Sequence, residues 1–118
     1  WTVGVRDPRG ARLDAIATVP VTDRAFSTSG DYEQGYDAGG RRYHHLLDPR
    51  TCEPATASRA VSVLAASAVD AEILGKALFA VGGPEAVALA TRLGAEALVV
   101  TASGEVLATP GLLGALPP

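Results

Sequence analysis

The amino-acid sequence predicts an α+β fold in which a mostly antiparallel sheet carries two consecutive helices on one side. Segments that alternate between apolar and polar residues occur as two pairs, and a short turn joins the members of each pair. Between the pairs lie a polar segment, one strongly apolar segment and two stretches with helical spacing of apolar residues. The predicted order is strand, strand, polar segment, strand, helix, helix, strand, strand.

The first pair is a predicted hairpin. Residues 1–6 alternate as a strand does, and the turn residues Asp7-Pro8-Arg9-Gly10 follow. Residues 11–21 place five apolar side chains on one side of a period-2 pattern: Leu13, Ala15, Ala17, Val19 and Val21. Because Pro20 has no N–H to donate, this strand is expected at a sheet edge or near its own end.

The segment from Thr22 to Ala60 is polar and rich in Gly, Ser, Asp, Tyr, Arg and His. Short strands are predicted within it at Ala25–Thr28 and Arg42–Leu47. Roughly 40 residues are more than a connection needs, so we expect this segment to carry a functional site.

A buried strand is predicted at residues 60–66, and a helix after it. Ser67 is the expected N-cap, and Asp70 lies in the first turn, where the helix dipole favours an acid. The apolar residues of this helix form one stripe at a period of 3.6 and are expected to face the core: Val69, Ile73, Leu74, Ala77, Leu78 and Val81.

A second helix is predicted after the break at Gly82-Gly83, beginning at Pro84 and closed by Gly94. Residues 95–101 and 105–109 then form the second predicted hairpin. The tail from Pro110 to Pro118 is expected to be a short apolar cap.

Composition narrows the function classes. The 118 residues are 47% hydrophobic and carry a net charge of −3, which provides no general attraction to nucleic acid. No apolar run approaches the roughly 18 residues of a bilayer span, so no transmembrane segment is expected. The single Cys52 precludes an internal disulfide. Since the chain lacks methionine and begins at Trp1, we expect residues 1–118 to be a single domain or a fragment of a longer or processed protein.

Three clusters are candidates for chemistry. The first is Phe26-Ser27-Thr28-Ser29-Gly30-Asp31-Tyr32. Its three hydroxyls, with the backbone N–H groups around Gly30, can donate hydrogen bonds to a phosphate group. The alternative is an ordinary serine-rich turn.

The second cluster is Tyr43-His44-His45-Leu46-Leu47-Asp48-Pro49-Arg50-Thr51. A histidine three residues before Asp-Pro combines a ring that works near neutral pH with a carboxylate that can orient it. Two alternatives remain: surface histidines beside an Asp-Pro turn, and a zinc site made by His44, His45, Asp48 and Cys52, whose spacing matches no common zinc pattern.

The third cluster is Glu72 and Lys76 on the first predicted helix. With Glu first at i, i+4, the two residues suit an ordinary surface ion pair, worth roughly 0.2–0.5 kcal/mol. Both lie at the margin of the predicted apolar stripe, so the alternative is that they face a cleft.

Taken in order, these motifs resemble the C-terminal portion of the FAD:protein FMN transferase (ApbE) family. The resemblance covers residues 1 to about 107 in four segments: WTVGVRDP, FSTSGDYE, YHHLLDPRT and VSVLAASAVDAEILGKALFAVG. It implies the T-fold-like architecture of that family and an enzyme that transfers FMN from FAD to a Thr or Ser of an acceptor protein, with release of AMP. Members are exported and lipid-anchored or cytoplasmic, and this chain does not indicate which.

The resemblance also implies roles for individual residues. His45 aligns with the family histidine, as a base for the attacking hydroxyl or an orienting group for the flavin, and Asp48 would steady it. Ser27, Thr28, Ser29 and Gly30 would lie near the bound flavin nucleotide, and catalysis would be assisted by Mg²⁺.

The chain departs from the family at three other positions. Glu72 stands where the family has a metal-binding Asp, and Lys76 stands where it has Thr. Glutamate can ligate Mg²⁺, but a protonated lysine cannot, so we expect Lys76 to weaken or replace the metal. Cys52 stands where the family has Gly, which would restrict the turn if φ is positive. The alternatives are therefore an FAD-binding module without transfer activity, an FAD pyrophosphatase that gives FMN and AMP, and a purely structural domain.

Overall fold

The computed structural model describes residues 1–116 and shows ten strands, two α-helices and one 3₁₀ helix over that range. The strands are β1 (Thr2–Arg6), β2 (Ala15–Pro20), β3 (Ala25–Gly30), β4 (Gly35–Ala38), β5 (Arg41–His44), β6 (Leu47–Asp48), β7 (Glu53–Pro54), β8 (Ser58–Ala65), β9 (Glu96–Thr101) and β10 (Val106–Ala108). The helices α1 (Ala68–Val81) and α2 (Gly83–Arg92) lie between β8 and β9, and the 3₁₀ helix Pro110–Ala115 follows β10. Of the predicted apolar tail, residues 117 and 118 lie outside the described residues.

A four-stranded antiparallel sheet in the order β10-β9-β8-β3 forms the centre of the fold. Alternate residues of its strands face two separate cores. Val61, Val63 and Val99 pack under α1 and α2, whereas Leu64 and Leu98 pack against the β1–β2 hairpin and the 3₁₀ helix on the other face. The predicted fold class, an antiparallel sheet with two helices on one side, is confirmed.

The predicted hairpin of β1 and β2 is present, and β2 ends at Pro20 as expected. Two of its five predicted inward residues are wrong. Ala17, Val19 and Val21 are buried, but Leu13 is 93% exposed, and Ala15, which pairs with Arg6 at a register shift in the hairpin, is exposed as well. Leu13 precedes β2. It lies in the turn that is closed by the hydrogen bond from the Asp7 N–H to the Asp14 carbonyl, so the period-2 pattern of the strand does not extend to it.

The strand predicted at Arg42–Leu47 is wrong in its extent. The chain leaves the strand conformation after His44 and resumes it only at Leu47, so two short strands replace one. β5 pairs with β4, and β6 pairs with β7, in two small hairpins that the sequence pattern did not indicate. This interruption leaves His45 in a connection between strands.

The buried face of α1 also differs from the predicted stripe. Val69 and Ile73 are 66% and 61% exposed, and Ala77 and Val81 are exposed as well. The buried residues are Ala71, Gly75, Leu78 and Phe79. Because α1 is apolar around most of its circumference, spacing alone does not select the face. Small residues select it: a Cβ on Gly75 would lie 3.1 Å from the Ser29 Oγ, so the helix lies directly against β3.

The helix ends follow the predicted chemistry. The Ser67 side chain accepts a hydrogen bond from the Asp70 N–H. Gly82, at φ +68°, ends α1 and precedes α2, whose first turn contains Pro84. Within residues 1–116, no helix is long and apolar enough to cross a bilayer.

Candidate active site along helix α1

Two of the three candidate clusters meet on the exposed side of α1. The Glu72 carboxylate accepts hydrogen bonds from the Ser27 hydroxyl on β3 and from the Lys76 ammonium one turn further along the helix. These two donors, Lys76 first, lower the pKa of Glu72 below its ordinary value. The predicted i, i+4 ion pair is therefore present, and it extends to the first cluster through Ser27.

The three hydroxyls of the first cluster do not face one ligand together. They lie in a strand rather than a turn, so their side chains alternate between the two faces of the sheet. Ser27 and the buried Ser29 lie on the side of α1. Thr28 lies on the opposite side, where its hydroxyl is 2.8 Å from that of Ser62. Gly30, at the end of β3, is buried, and a Cβ there would meet the ring of Tyr32.

The Asp48-Pro49-Arg50 turn is held by Asp48. Its backbone carbonyl accepts the N–H groups of Thr51 and Cys52, at 3.2 and 2.8 Å. Its carboxylate accepts the Arg50 N–H at 2.9 Å and two bonds from the Arg50 guanidinium, at 3.1 and 2.8 Å. The Arg50 contacts lower the pKa of Asp48. The carboxylate is thus bound by Arg50 and not by His45, the partner that the resemblance implies.

The two histidines have different surroundings. The His44 ring contacts the ring of Phe79 edge-on, its Nε2 is 2.9 Å from the Ala55 carbonyl, and its Nδ1 accepts the Leu46 N–H. These contacts fit one neutral tautomer, so His44 supports the structure. His45 is exposed, between β5 and β6. Of the pair, His45 is the more exposed.

A cavity of about 500 Å³ lies between this turn and α1. Leu47, Pro49, Ala77, Ala80 and Val81 make it mainly apolar, and Lys76, Arg50 and Asp48 supply its charges. It brings Asp48 and Arg50 of the second cluster together with Lys76 of the third, whereas His45 and Glu72 do not line it. Arg50 was named only as a member of the second cluster, Ala77 was expected to face the core, and Ala80 was in neither prediction. The spacing of four residues from Lys76 to Ala80 places both on one side of the helix.

The residues present do not fit a magnesium site. At the two positions that the resemblance assigns to metal ligands, Lys76 offers no lone pair and both oxygens of Glu72 are already hydrogen-bonded. Across residues 1–116, no group of three or more His, Cys, Asp or Glu side chains converges as metal ligands would. The zinc alternative with His44, His45, Asp48 and Cys52 therefore has no support in the described part of the chain.

Comparison with known proteins identifies the family. The ApbE family model matches residues 1–99. The chain belongs to the ApbE family. The FAD:protein FMN transferases of Treponema pallidum and Rhodobacter capsulatus are 37% and 34% identical to it, over 96% and 93% of the chain. These matches cover 32% and 21% of those proteins.

Solved structures of the ApbE family share the fold. The ApbE protein of Thermotoga maritima superimposes with a TM-score of 0.89 at 34% identity, over all of this chain and 38% of its own. The flavinyl transferase ApbE of Pseudomonas stutzeri gives 0.75 at 30% identity, over 98% of this chain and 36% of its own. The chain thus spans about a third of the length of most of these relatives.

Proposed function

We propose that the full-length protein is an FAD:protein FMN transferase that transfers FMN from FAD to a Thr or Ser hydroxyl of an acceptor protein. The cavity between α1 and the Asp48 turn carries this proposal, because it joins an apolar wall to two cations, Lys76 and Arg50. A planar ring with a phosphate attached matches that combination. Relatives over 30% identical bear this activity in their names.

The reaction is displacement at phosphorus. The acceptor oxygen forms a bond to the FMN-side phosphorus of FAD, the bond from that phosphorus to the bridging oxygen breaks, and AMP leaves with the bridging oxygen. The hydroxyl proton passes to a base, and we assign this role to His45, whose ring is exposed beside the Asp48 turn. Catalysis then depends on positioning and on stabilising the charge of the leaving phosphate.

Lys76 supplies that charge stabilisation in our proposal. The resemblance assigns a metal ligand to this position. Lys76 stands there instead and lines the cavity together with Arg50. Glu72 and Ser27 hold Lys76 in place through the hydrogen-bonded chain on the surface of α1. Asp48 holds the Arg50 guanidinium in the same way. The donor chemistry at Glu72 and Lys76 gives no support to Mg²⁺ at this position.

The deciding experiment follows AMP and FMN release from FAD by the full-length protein, with and without an acceptor protein and Mg²⁺. AMP release that requires an acceptor, together with covalent FMN on that acceptor, is the expected result. Equal amounts of free FMN and AMP without acceptor would make the protein a pyrophosphatase. FAD binding without AMP release would make it a binding module.

The assignment of His45 is tested in the same assay. The variant His45→Ala should lower the rate of AMP release by about 10²-fold or more and leave FAD affinity nearly unchanged, since a general base typically contributes 10²–10⁴-fold. The matched control is His44→Ala, which should lower thermal stability through the contacts with Phe79 and Ala55. Unchanged turnover in His45→Ala would remove His45 from the mechanism.

A further inference from the structure

A second cavity, of about 350 Å³, lies at the start of β8 and shares no lining residue with the cavity beside α1. Four arginines line it, from the β1–β2 turn, from β5 and from β8, against a single acidic residue. Its lining includes the charged and polar residues Arg9, Asp31, Arg41, Arg42, Ser58 and Arg59.

An irregularity in β8 places two neighbouring residues at this cavity. Ser58 pairs with Thr101 and Ala60 pairs with Val100, so Arg59 is an extra residue in the ladder. In a regular strand, Ser58 and Arg59 would face opposite sides of the sheet. At this bulge, both line the same cavity. Bulges that re-aim a side chain in this way occur preferentially beside functional sites.

Ser58 offers an unused hydroxyl. The residue is only 4% exposed, and its Oγ has no hydrogen-bond partner among residues 1–116. Buried hydroxyls are nearly always hydrogen-bonded, and an unpaired one needs an explanation. A ligand in the cavity that accepts this hydrogen bond would provide it.

Arg59 offers an unused cation. The other three arginines are already paired: Arg9 with Asp31 at 2.7 and 2.6 Å, Arg42 with Asp37 at 3.1 Å, and Arg41 with Glu53 at 2.7 Å. In the described range, no Asp or Glu lies within ion-pair distance of Arg59, whose guanidinium lies near Gly104. The planar guanidinium matches two oxygens of one phosphate.

We propose that this cavity binds a phosphate group, with the Arg59 guanidinium and the Ser58 hydroxyl as its donors. Asp31 does not oppose this anion strongly, because both of its oxygens are neutralised by Arg9. The volume falls within the range of small-molecule sites, so the phosphate is either free or carried on a small ester. This site does not depend on the proposed transfer reaction.

The test is calorimetric titration of the full-length protein with inorganic phosphate and, separately, with glycerol 3-phosphate. The variant Arg59→Gln should weaken binding by about tenfold or more, since hydrogen bonds to charged groups are the strong ones. The control Arg92→Gln removes one exposed positive charge from α2 and should leave affinity within about twofold. The tighter of the two probes identifies the source of the phosphate.

The variant Ser58→Ala separates binding from folding. It should weaken binding severalfold, yet the melting temperature without phosphate should stay the same or rise, because an unpaired buried hydroxyl is removed. Amide shifts on titration should be confined to the surroundings of Ser58 and Arg59. Binding of both probes that is unaffected by Arg59→Gln, or the absence of any binding, would overturn the proposal.

Discussion

Cys52 has a backbone conformation that is unfavourable for a residue with a Cβ. The residue ends the Asp48 turn at φ +58°, in the left-handed region where a Cβ is unfavourable. The resemblance predicts that a residue larger than Gly restricts this turn if φ is positive, and φ is positive. Asp23, at φ +49°, is of a residue type that tolerates this region more readily.

Cys52→Gly should therefore raise the free energy of unfolding by about 0.5–1 kcal/mol, the relief of left-handed strain less the greater entropy of unfolded glycine. Urea unfolding of the chain measures it. Cys52→Ala is the control, because it removes the thiol and keeps the Cβ. An equal gain in both variants would assign the effect to the thiol and not to the backbone angle.

The Asp48–Arg50 pair makes stability depend on pH at the acid end. Because Arg50 lowers the pKa of Asp48 below the ordinary 3.8, folding favours the charged carboxylate. This stabilisation is complete above the ordinary pKa and is lost as the pH falls through the lower value of the folded protein.

Arg50→Gln should move the Asp48 pKa back toward the ordinary value and reduce the loss of stability below about pH 4. Carboxyl ¹³C shifts followed by NMR report the titration directly. Arg41→Gln is the control, since Arg41 pairs with Glu53 and is not a partner of Asp48. An unchanged Asp48 titration in Arg50→Gln would contradict the contact.

At the scale of elements, α1 packs through its smallest residues and leaves larger apolar ones outside. Replacing Ile73 with Gln in the 118-residue chain should change the free energy of unfolding by less than about 0.5 kcal/mol, because Ile73 is 61% exposed. Leu78→Ala, at a fully buried position, should cost about 2–5 kcal/mol. Denaturant unfolding distinguishes the two variants. A large loss of unfolding free energy for Ile73→Gln would show that Ile73 faces the core, as the sequence predicts.

The corner between α1 and α2 contains two adjacent glycines, Gly82 and Gly83, which differ in the space available for a side chain. Both have positive φ, but a Cβ on Gly82 would overlap the Cβ of Ala57, whereas a Cβ on Gly83 would meet open space. Gly83→Ala should cost about 1–2 kcal/mol from backbone strain alone. Gly82→Ala should cost about 1–3 kcal/mol more through overpacking. Equal melting temperatures for the two variants would show that Ala57 moves aside.

Glu72 and Lys76 allow a test of the metal position on the same helix. The double variant Glu72→Asp, Lys76→Thr creates the ligand pair that the resemblance implies, and it should raise the Mg²⁺ affinity of the full-length protein by about tenfold or more, or about 1.4 kcal/mol. Calorimetry measures it. Lys76→Met is the control, because it removes the repelling charge without adding a ligand. No gain over that control would show that these positions do not form a metal site.

Local chemistry determined which elements could be predicted. The Ser67 cap, the break at Gly82-Gly83 and the turn at residues 102–104 each act within a few residues, and each is present. The buried face of α1 could not be predicted, because contact with Ser29 and Val63, distant in sequence, selects it. The short strands β4, β6 and β7 have too few residues to show a period.

On the scale of the whole molecule, the central sheet has the candidate active site on one side and an apolar core on the other. The candidate active site lies on the side of α1, and the hairpin of β1 and β2 covers the opposite face. The resemblance implied that Asp48 steadies His45. The carboxylate binds Arg50 instead, because the turn brings the Arg50 N–H and guanidinium, only two residues away, within hydrogen-bond distance.

The bulge at Arg59 has a consequence for how this chain tolerates changes in length. A chain with Arg59 deleted would join Ser58 directly to Ala60, and these two residues already face the consecutive partners Thr101 and Val100. The ladder would then close without a shift, and every residue from Ala60 onward would keep its side of the sheet. The cores on both faces can therefore accept this one-residue loss. The deletion removes the unpaired Arg59 cation at the start of β8. A residue can therefore be inserted or deleted at this bulge without changing the rest of the fold.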